Sequence, residues 1–229
     1  MGDWMQISLP SKGKAYKDVD VSAIRVKTLT GEQEELIAEM TSENFKKKIL
    51  TVLESVVQGI DPRKLTSGDA RYIMLWLGSN SYTNLYPMNV KCPNCLHEAQ
   101  FDVDLNKLEY KELPDDFKCP DQLQLSTGPV EIRLQTIQDE IGAFDFSKQH
   151  NAYLYSYART ISDGSKDVLE RLAMLKKAPP KDIREIRKWH TKFEHGPVME
   201  TQFTCPDCDN EGTVIVPFRL DRFLSTKLS

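Results

Sequence analysis

The chain has 229 residues, 40% of them hydrophobic and 28% charged, with 30 Lys+Arg against 34 Asp+Glu and a formal net charge of −4. That length suits one ordinary domain or two small ones, and the mild negative charge argues against a role built on a broad cationic surface for a nucleic-acid backbone. No apolar run approaches the ~20 residues of a bilayer-spanning helix, and Met1 to Pro10 lacks the basic start and apolar stretch of a secretory signal, so the protein is expected to be made and used in a cytosol.

Ile7 and Leu9 alternate with polar neighbours before a turn at Pro10-Ser11-Lys12-Gly13. Val19, Val21 and Ala23 then predict a further extended segment. Thr30 with Gln33 fits a capping box, so a helix should run from there to about Met40. A second start signal at Thr41-Ser42 precedes Phe45, Ile49, Val52, Leu53 and Val56, which fall on one helical face, with Gly59 and Pro62 ending it. Within this helix, Lys46-Lys47-Lys48 reads as a solvated face. Ser67 or Asp69 can cap a third helix through Arg71 to Leu77, apolar almost all round and so the most buried, with Gly78-Ser79-Asn80 stopping it.

Beyond it, Leu85 to Val90 and Ala99 to Leu105 read as strands, the second with Phe101, Val103 and Leu105 alternating with Asp102 and Asp104. A polar connection from Lys111 to Asp121 leads to another alternating strand at Val130, Ile132 and Leu134. From about Gln138 to His195 the pattern is helical. Leu169, Leu172, Ala173 and Leu175 form one helix stopped by Pro179-Pro180. Asp182 starts another, with Ile183, Ile186, Trp189 and Phe193 on one face, closed by Gly196-Pro197. Extended segments return at Met199 to Phe203 and Thr213 to Phe218.

Four of the five cysteines lie in two near-identical turns, Lys91-Cys92-Pro93-Asn94-Cys95 and Thr204-Cys205-Pro206-Asp207-Cys208, each between extended segments. Two residues between thiols let both sulfurs face one point, and two such turns complete a tetrahedron. A reducing compartment moves these cysteines away from disulfides and toward metal. An all-thiolate shell suits a structural zinc with no open position for substrate; the alternatives are a vestigial, unmetallated site and an iron–sulfur or redox use. Cys92, Cys95, Cys205 and Cys208 are therefore the expected zinc ligands. The gap between Cys95 and Cys205, 109 residues, reads as an insertion between two halves of a zinc ribbon.

Cys119 has no partner at i+3 and reads as a buried or idle thiol. His97 is surplus to a shell already filled. His190 and His195 sit near a helix end, where histidine commonly meets the last carbonyls. Tyr153, Tyr155 and Tyr157 are either an interaction surface or packing inside the insertion, and their spacing fits a strand where the surroundings suggest a helix. No phosphate-cradling glycine loop, His-Glu-x-x-His or Gly-x-Ser-x-Gly occurs, so an enzyme is not expected.

The expected fold is α+β: small antiparallel β elements including a four-cysteine zinc-ribbon-like module, with N-terminal helices and a helical insertion. Residues 1–137 would hold the N-terminal strands, helices and first knuckle, 138–197 the insertion, and 198–229 the second knuckle and closing strand.

The order of these parts carries a resemblance. Ile7-Ser8-Leu9-Pro10-Ser11-Lys12-Gly13, the extended segment and Glu-rich helix from Arg25 to Met40, the helix ending near Gly59-Ile60-Asp61, the segment Leu65 to Leu77, and the first knuckle leading into Phe101-Asp102-Val103-Asp104-Leu105 together resemble the baseplate hub-subunit and hub-assembly family of T4-like contractile-tailed bacteriophages. The resemblance covers residues 5–137 well and the rest loosely; the long helical stretch before Cys205 is a departure from it. It implies a structural or assembly role in the virion tail baseplate, assembled in the host cytoplasm, with neighbouring hub, wedge or tape-measure proteins as partners and no catalytic residues. The competing reading is a zinc-ribbon module that contacts nucleic acid or a transcription apparatus. Glu98, Asp102, Asp104, Asp207, Asp209 and Glu211 around the knuckles would repel phosphate and oppose it.

Overall fold

The structure, a computed structural model, describes residues 3–162, 164 and 166–217. It is α+β, with small antiparallel sheets and, among the described residues, seven α-helices. In chain order the first elements are β1 (Met5–Gln6), β2 (Arg25–Val26), α1 (Gly31–Ala38), α2 (Phe45–Val56), β3 (Val57–Gln58) and α3 (Ser67–Ser81). They are followed by β4 (Leu85–Lys91), β5 (Glu98–Asp104), β6 (Tyr110–Lys111), β7 (Asp121–Leu125) and β8 (Gly128–Ile132). The rest comprises α4 (Ile137–Ser147), α5 (Tyr153–Thr160), β9 (Ile161–Ser162), α6 (Val168–Lys177), α7 (Pro180–Lys192), β10 (Gly196–Pro197), β11 (Glu200–Thr204) and β12 (Glu211–Ile215).

Three apolar clusters organise these elements. The first joins Ile7, Leu9, Ile24 and Val26 to Leu53, Val56, Ile73 and Leu77, so the β1–β2–β3 sheet and helices α2 and α3 share one core. The second lies under the two cysteine hairpins, with Tyr86, Val90 and Val103 from one, Phe203 and Val216 from the other, and Ile37, Val52 and Leu75 from the helices. The third packs Leu125, Val130 and Ile132 of the β7–β8–β9 sheet against Leu172, Leu175, Ile186 and Trp189 of α6 and α7 and against Phe193 just past α7.

Local chemistry explains most boundaries. Thr30 and Gln33 form the expected capping box on α1. The apolar stripe of α2 is buried at Leu50, Val52, Leu53 and Val56, and the chain leaves through Gly59 at φ +87°. The lysines of α2 are tied down rather than free: Lys46 pairs with Glu140, Lys47 with Asp145 at 3.0 Å, and Lys48 with Glu39 at 2.5 Å.

Several expectations are corrected. Val21–Ala23 forms a turn of 3-10 helix capped by Asp20, not extended chain. The cap of α3 is Thr66, one residue before the expected Ser67, because its hydroxyl accepts the Asp69 N–H. Gly78-Ser79-Asn80 does not stop α3; burial of Gly78 and Leu77 against the core carries the helix to Ser81. Proline opens α7 at Pro180, two residues before Asp182, since a first-turn amide needs no intrahelical partner. Asp182 is instead buried, accepting from the amide and hydroxyl of Ser126. β7 follows the polar connection, sharing only Asp121 with it, where no strand was expected, and Leu134 lies just past β8. The helical stretch is interrupted by β9, which pairs with β8. The tyrosines, which fitted either a strand or a helix, lie on a helix: Tyr155 is buried and stacked on Phe146 at 4.0 Å, whereas Tyr153 is half exposed. Phe218, the expected end of the last strand, lies outside the described residues.

Two buried carboxylates fasten the clusters together. Asp69, fully buried, accepts the Ser11 N–H at 2.9 Å and the Tyr16 hydroxyl at 2.5 Å, and His195 sits 3.9 Å away with its Nε2 on Thr66 Oγ1 at 2.7 Å. Burial and then the adjacent Asp69 carboxylate push the Tyr16 hydroxyl well above the ordinary phenol range, so it stays a donor. Asp139 at the start of α4 binds Arg133 through both oxygens, at 2.5 and 3.1 Å, and Arg159 at 3.2 Å. Burial alone would raise its pKa, but Arg133 and the Thr136 cap outweigh it and hold Asp139 below the usual carboxylate range.

Each site makes a prediction. Asp69→Ala leaves buried donors on Ser11 and Tyr16 and should cost about 2–4 kcal/mol in denaturant unfolding. For Asp139 the folded-state pKa is depressed, so its stabilisation is complete above the unfolded value of about 3.9 and is lost as pH falls through the lower folded value. Unfolding curves of Asp139→Asn should therefore lack that acid-side loss, and an unchanged pH profile would refute the account.

Candidate metal centre

The two cysteine turns are built alike. Seven residue pairs join β4 to β5, and five join β11 to β12. At the head of the first hairpin the Cys92 N–H bonds to the His97 carbonyl at 2.9 Å and the Leu96 N–H to the Cys92 carbonyl at 3.0 Å. At the second, the Cys205 N–H bonds to the Asn210 carbonyl at 2.9 Å and the Asp209 N–H to the Cys205 carbonyl at 3.0 Å. The fourth residue after each leading cysteine, Leu96 or Asp209, has positive φ, +64° and +54°. The same backbone bend is thus used twice, and in each turn it brings the second thiol round to the first.

The turns face one another. Cys92 Sγ lies 3.7 Å from Cys208 Sγ, and Cys95 Sγ lies 3.6 Å from Cys205 Sγ. All four sulfurs fall within 4.8 Å of each other. A tetrahedron of sulfurs ~2.3 Å from a central ion has edges of about 3.8 Å, which is the spacing seen across the two turns. Cys92 and Cys205 are buried; Cys95 and Cys208 are partly open. The Asn94 side-chain amide donates across the gap to Cys208 Sγ at 3.5 Å.

Electrostatics separate the thiols. The Asn94 amide, followed by the Asn210 backbone N–H, holds Cys208 down to about 7. The His97 backbone N–H also favours a thiolate on Cys95, but desolvation and the neighbouring sulfurs outweigh it and push Cys95 up to about 12. Four acidic groups so close cannot all ionise unless a cation sits among them. Cys92, Cys95, Cys205 and Cys208 could therefore hold one metal ion with all-sulfur ligation.

The remaining candidates lie elsewhere. Cys119 is half-buried beside the β7–β8 sheet, and burial raises its thiol pKa. His97 is exposed and contributes only backbone to the first turn. His190 bonds Thr160 Oγ1 at 3.0 Å, and burial lowers it to about 4, so it is neutral at pH 7. His195 does reach a helix-end carbonyl, with Nδ1 3.3 Å from the Phe193 oxygen. Asn94 and the matched bends at Leu96 and Asp209 are the features that sequence reasoning missed. Their equal offset from Cys92 and Cys205 was the available signal.

With this geometry in place, one comparison is decisive: a family profile described as T4 bacteriophage base plate protein matches residues 5–225, nearly the whole chain. The chain belongs to the T4 bacteriophage base plate protein family. The match runs through both knuckles and the intervening helices, including the stretch for which the resemblance was loose. Neither a curated relative nor a solved structure matches the chain. Membership in this family makes it a structural protein of the phage tail baseplate that interacts with other baseplate proteins. None of the described helices is long and apolar enough to cross a membrane.

The bends are testable without metal chemistry. Asp209→Val, which puts a β-branched residue at φ +54°, should destabilise by about 1–2 kcal/mol in thermal or denaturant unfolding, while Asp209→Gly should not.

Proposed function

We propose that this baseplate protein is a structural or assembly component of the hub region whose ribbon is clamped by one structural zinc ion bound to Cys92, Cys95, Cys205 and Cys208. One observation carries the zinc reading: two turns distant in sequence meet with sulfur spacings of 3.6 and 3.7 Å, the edge length of a thiolate tetrahedron. Zinc suits this donor set because it imposes no electronic preference on geometry and is bound readily by thiolates. A filled four-sulfur shell leaves no position for substrate, so a catalytic role forms no part of the proposal. The order of motifs along residues 5–137 supports the hub assignment, with hub, wedge or tape-measure proteins as neighbours and assembly in the host cytoplasm.

The proposed organisation keeps 1–137, 138–197 and 198–229 as its three parts. Helices α4 to α7 fall almost wholly in the middle part, and the last part supplies the hairpin that completes the ribbon. Nucleic-acid binding is the poorer reading. Asp207, Asp209 and Glu211 are exposed around the second knuckle, and all three lysines of the Lys46–Lys48 run are engaged by carboxylates.

Elemental analysis of the purified chain should find one zinc per molecule, and cobalt substitution should give the absorption of a tetrahedral thiolate site. Cys95→Ser with Cys208→Ser should abolish stoichiometric metal and lower the unfolding temperature of the zinc-loaded protein. Metal-free wild type with unaltered stability, or iron in place of zinc, would overturn the zinc assignment. Crosslinking mass spectrometry of purified tails tests the hub assignment separately: crosslinks to hub proteins are expected, and crosslinks confined to peripheral wedge components would reject it.

A further inference from the structure

The segments that frame the insertion run side by side and then part. β6 and β10 pair antiparallel, Lys111 with Gly196 and Tyr110 with Pro197, and the Val198 N–H still reaches the Glu109 carbonyl at 2.8 Å. Beyond that point the 3-10 turn Leu105–Lys107 interrupts one segment, and β5 and β11 continue as members of separate two-stranded sheets. Between them lies a groove of about 520 Å³, lined by Phe101 to Asp104 on one side and Glu200 to Gln202 on the other. Phe101 and Phe203 meet edge to face at 5.6 Å, so the two hairpins touch through apolar side chains without pairing.

Hydrogen-bond parity shows which backbone groups are left over. The Cys92 N–H bonds to His97 and the Leu105 N–H to Asn84, so odd-numbered residues of β5 bond to β4. The amides and carbonyls of Gln100, Asp102 and Asp104 therefore point to the open side. In the same way Val216 bonds to Met199 and Cys205 to Asn210, which turns the backbone groups of Glu200 and Gln202 away from β12. Among the described residues no backbone hydrogen bond joins β5 to β11. Unpaired strand edges of this kind are templates for another strand.

Charge and polarity narrow the occupant. Val103, Leu108 and Val198 give the groove apolar walls. Asp102, Glu109 and Glu200 border it, exposed and without an ion pair among the described residues; Asp104 alone meets a lysine, Lys107, at 3.7 Å. An entering strand that alternates cationic and aliphatic side chains would match both walls and rim. The four residues of β5 that line the groove span about 14 Å, room for four or five residues of guest.

We propose that this groove binds an extended basic segment of another baseplate protein as an added β-strand, with its backbone on β5 or β11 and its lysines or arginines toward Asp102, Glu109 and Glu200. The inference rests on the baseplate role and does not depend on which metal the cysteines hold. The test uses the full wild-type chain and three fluorescein-labelled hexapeptides: acetyl-(Lys-Val)3-amide, acetyl-(Glu-Val)3-amide, and the lysine peptide with alternate backbone amides N-methylated. Fluorescence anisotropy should show the lysine peptide binding saturably and each of the other two at least about tenfold more weakly, since one loses the charge match and the other its strand-pairing donors. Isotope-edited NMR should place the largest amide shifts at Gln100, Asp102, Glu200 and Gln202.

Equal binding of the N-methylated peptide would reduce the groove to an acidic patch and overturn strand addition. Equal binding of the glutamate peptide would overturn the charge match. No saturable binding, or shifts centred elsewhere, would overturn the site itself. Metal content measured on the same sample keeps the two readings apart: a zinc-loaded protein that fails to bind counts against the groove alone, and a metal-free protein that binds counts against the zinc clamp alone.

Discussion

The structure depends on the convergence of four sulfurs from two turns separated by 109 residues. Each hairpin is a two-stranded ribbon, marginal by itself in water. They become one unit where Cys92, Cys205, Val103 and Phe203 share an apolar cluster beneath the turns. Closing a flexible loop of that length would cost on the order of 4 kcal/mol before fixed terms. The chain reduces this cost because the intervening residues are not flexible: they fold on their own cluster, with Trp189, Phe193 and Ile132 at its centre. Pairing of Lys111 with Gly196 then brings the two ends of that stretch together. What remains open is about two dozen residues, which lowers the closure cost by roughly 1–1.5 kcal/mol.

How the pinch at β6 and β10 is held is a matter of close approach. Where α3 begins, a Cβ on Gly68 would lie 2.4 Å from the His195 carbonyl oxygen, and one on Gly196 would lie 2.6 Å from the Gly68 carbonyl oxygen. Gly196 also has φ +99°, a conformation that side chains disfavour. Backbone therefore packs directly on backbone at this crossing. His195 links Thr66 to the surroundings of Asp69, so the N-terminal loop, the start of α3 and the end of the insertion meet at one buried polar site. Burial lowers the pKa of His195 although Asp69 opposes the shift, and a neutral ring bonds the buried Thr66 hydroxyl without bringing a second charge out of water.

What was legible in the sequence follows from range. The cysteine turns were legible because their chemistry is local: two residues between thiols, a proline, and an extended segment on each side. The α1 capping box and the apolar stripe of α2 were legible for the same reason. The edges of α3 were not. Its glycine and asparagine signal a stop, yet tertiary burial of Gly78 overrides that weak preference. β7 and β9 escaped notice because one reads as polar and the other is two residues long; both exist through pairing with β8, a nonlocal cause. The tyrosine run reads two ways, strand by its spacing of two and helix by its surroundings, and packing decides: α5 buries Tyr155 on Phe146 and leaves Tyr153 outside. Only the four-sulfur convergence, a long-range fact, could be inferred from sequence, because valence supplies the missing half of each incomplete shell.

The distribution of charge follows from the same arrangement. The lysines of α2 are consumed by Glu39, Glu140 and Asp145, so they fasten helices instead of forming a surface field. Around the hairpins the balance is different. Asp102, Glu109, Glu200, Asp207, Asp209 and Glu211 stand exposed, and the pairs present nearby, Lys91 with Glu98 and Lys107 with Asp104, are long at 3.8 and 3.7 Å. Such contacts in solvent contribute little to stability. Their carboxylates are therefore free to act on what approaches, repelling phosphate and attracting cationic chain. A rigid β head with an acidic surround is suited to joining proteins. The pinch and the sulfur cluster hold the two hairpins at opposite ends, with the apolar cluster of Val103 and Phe203 between them.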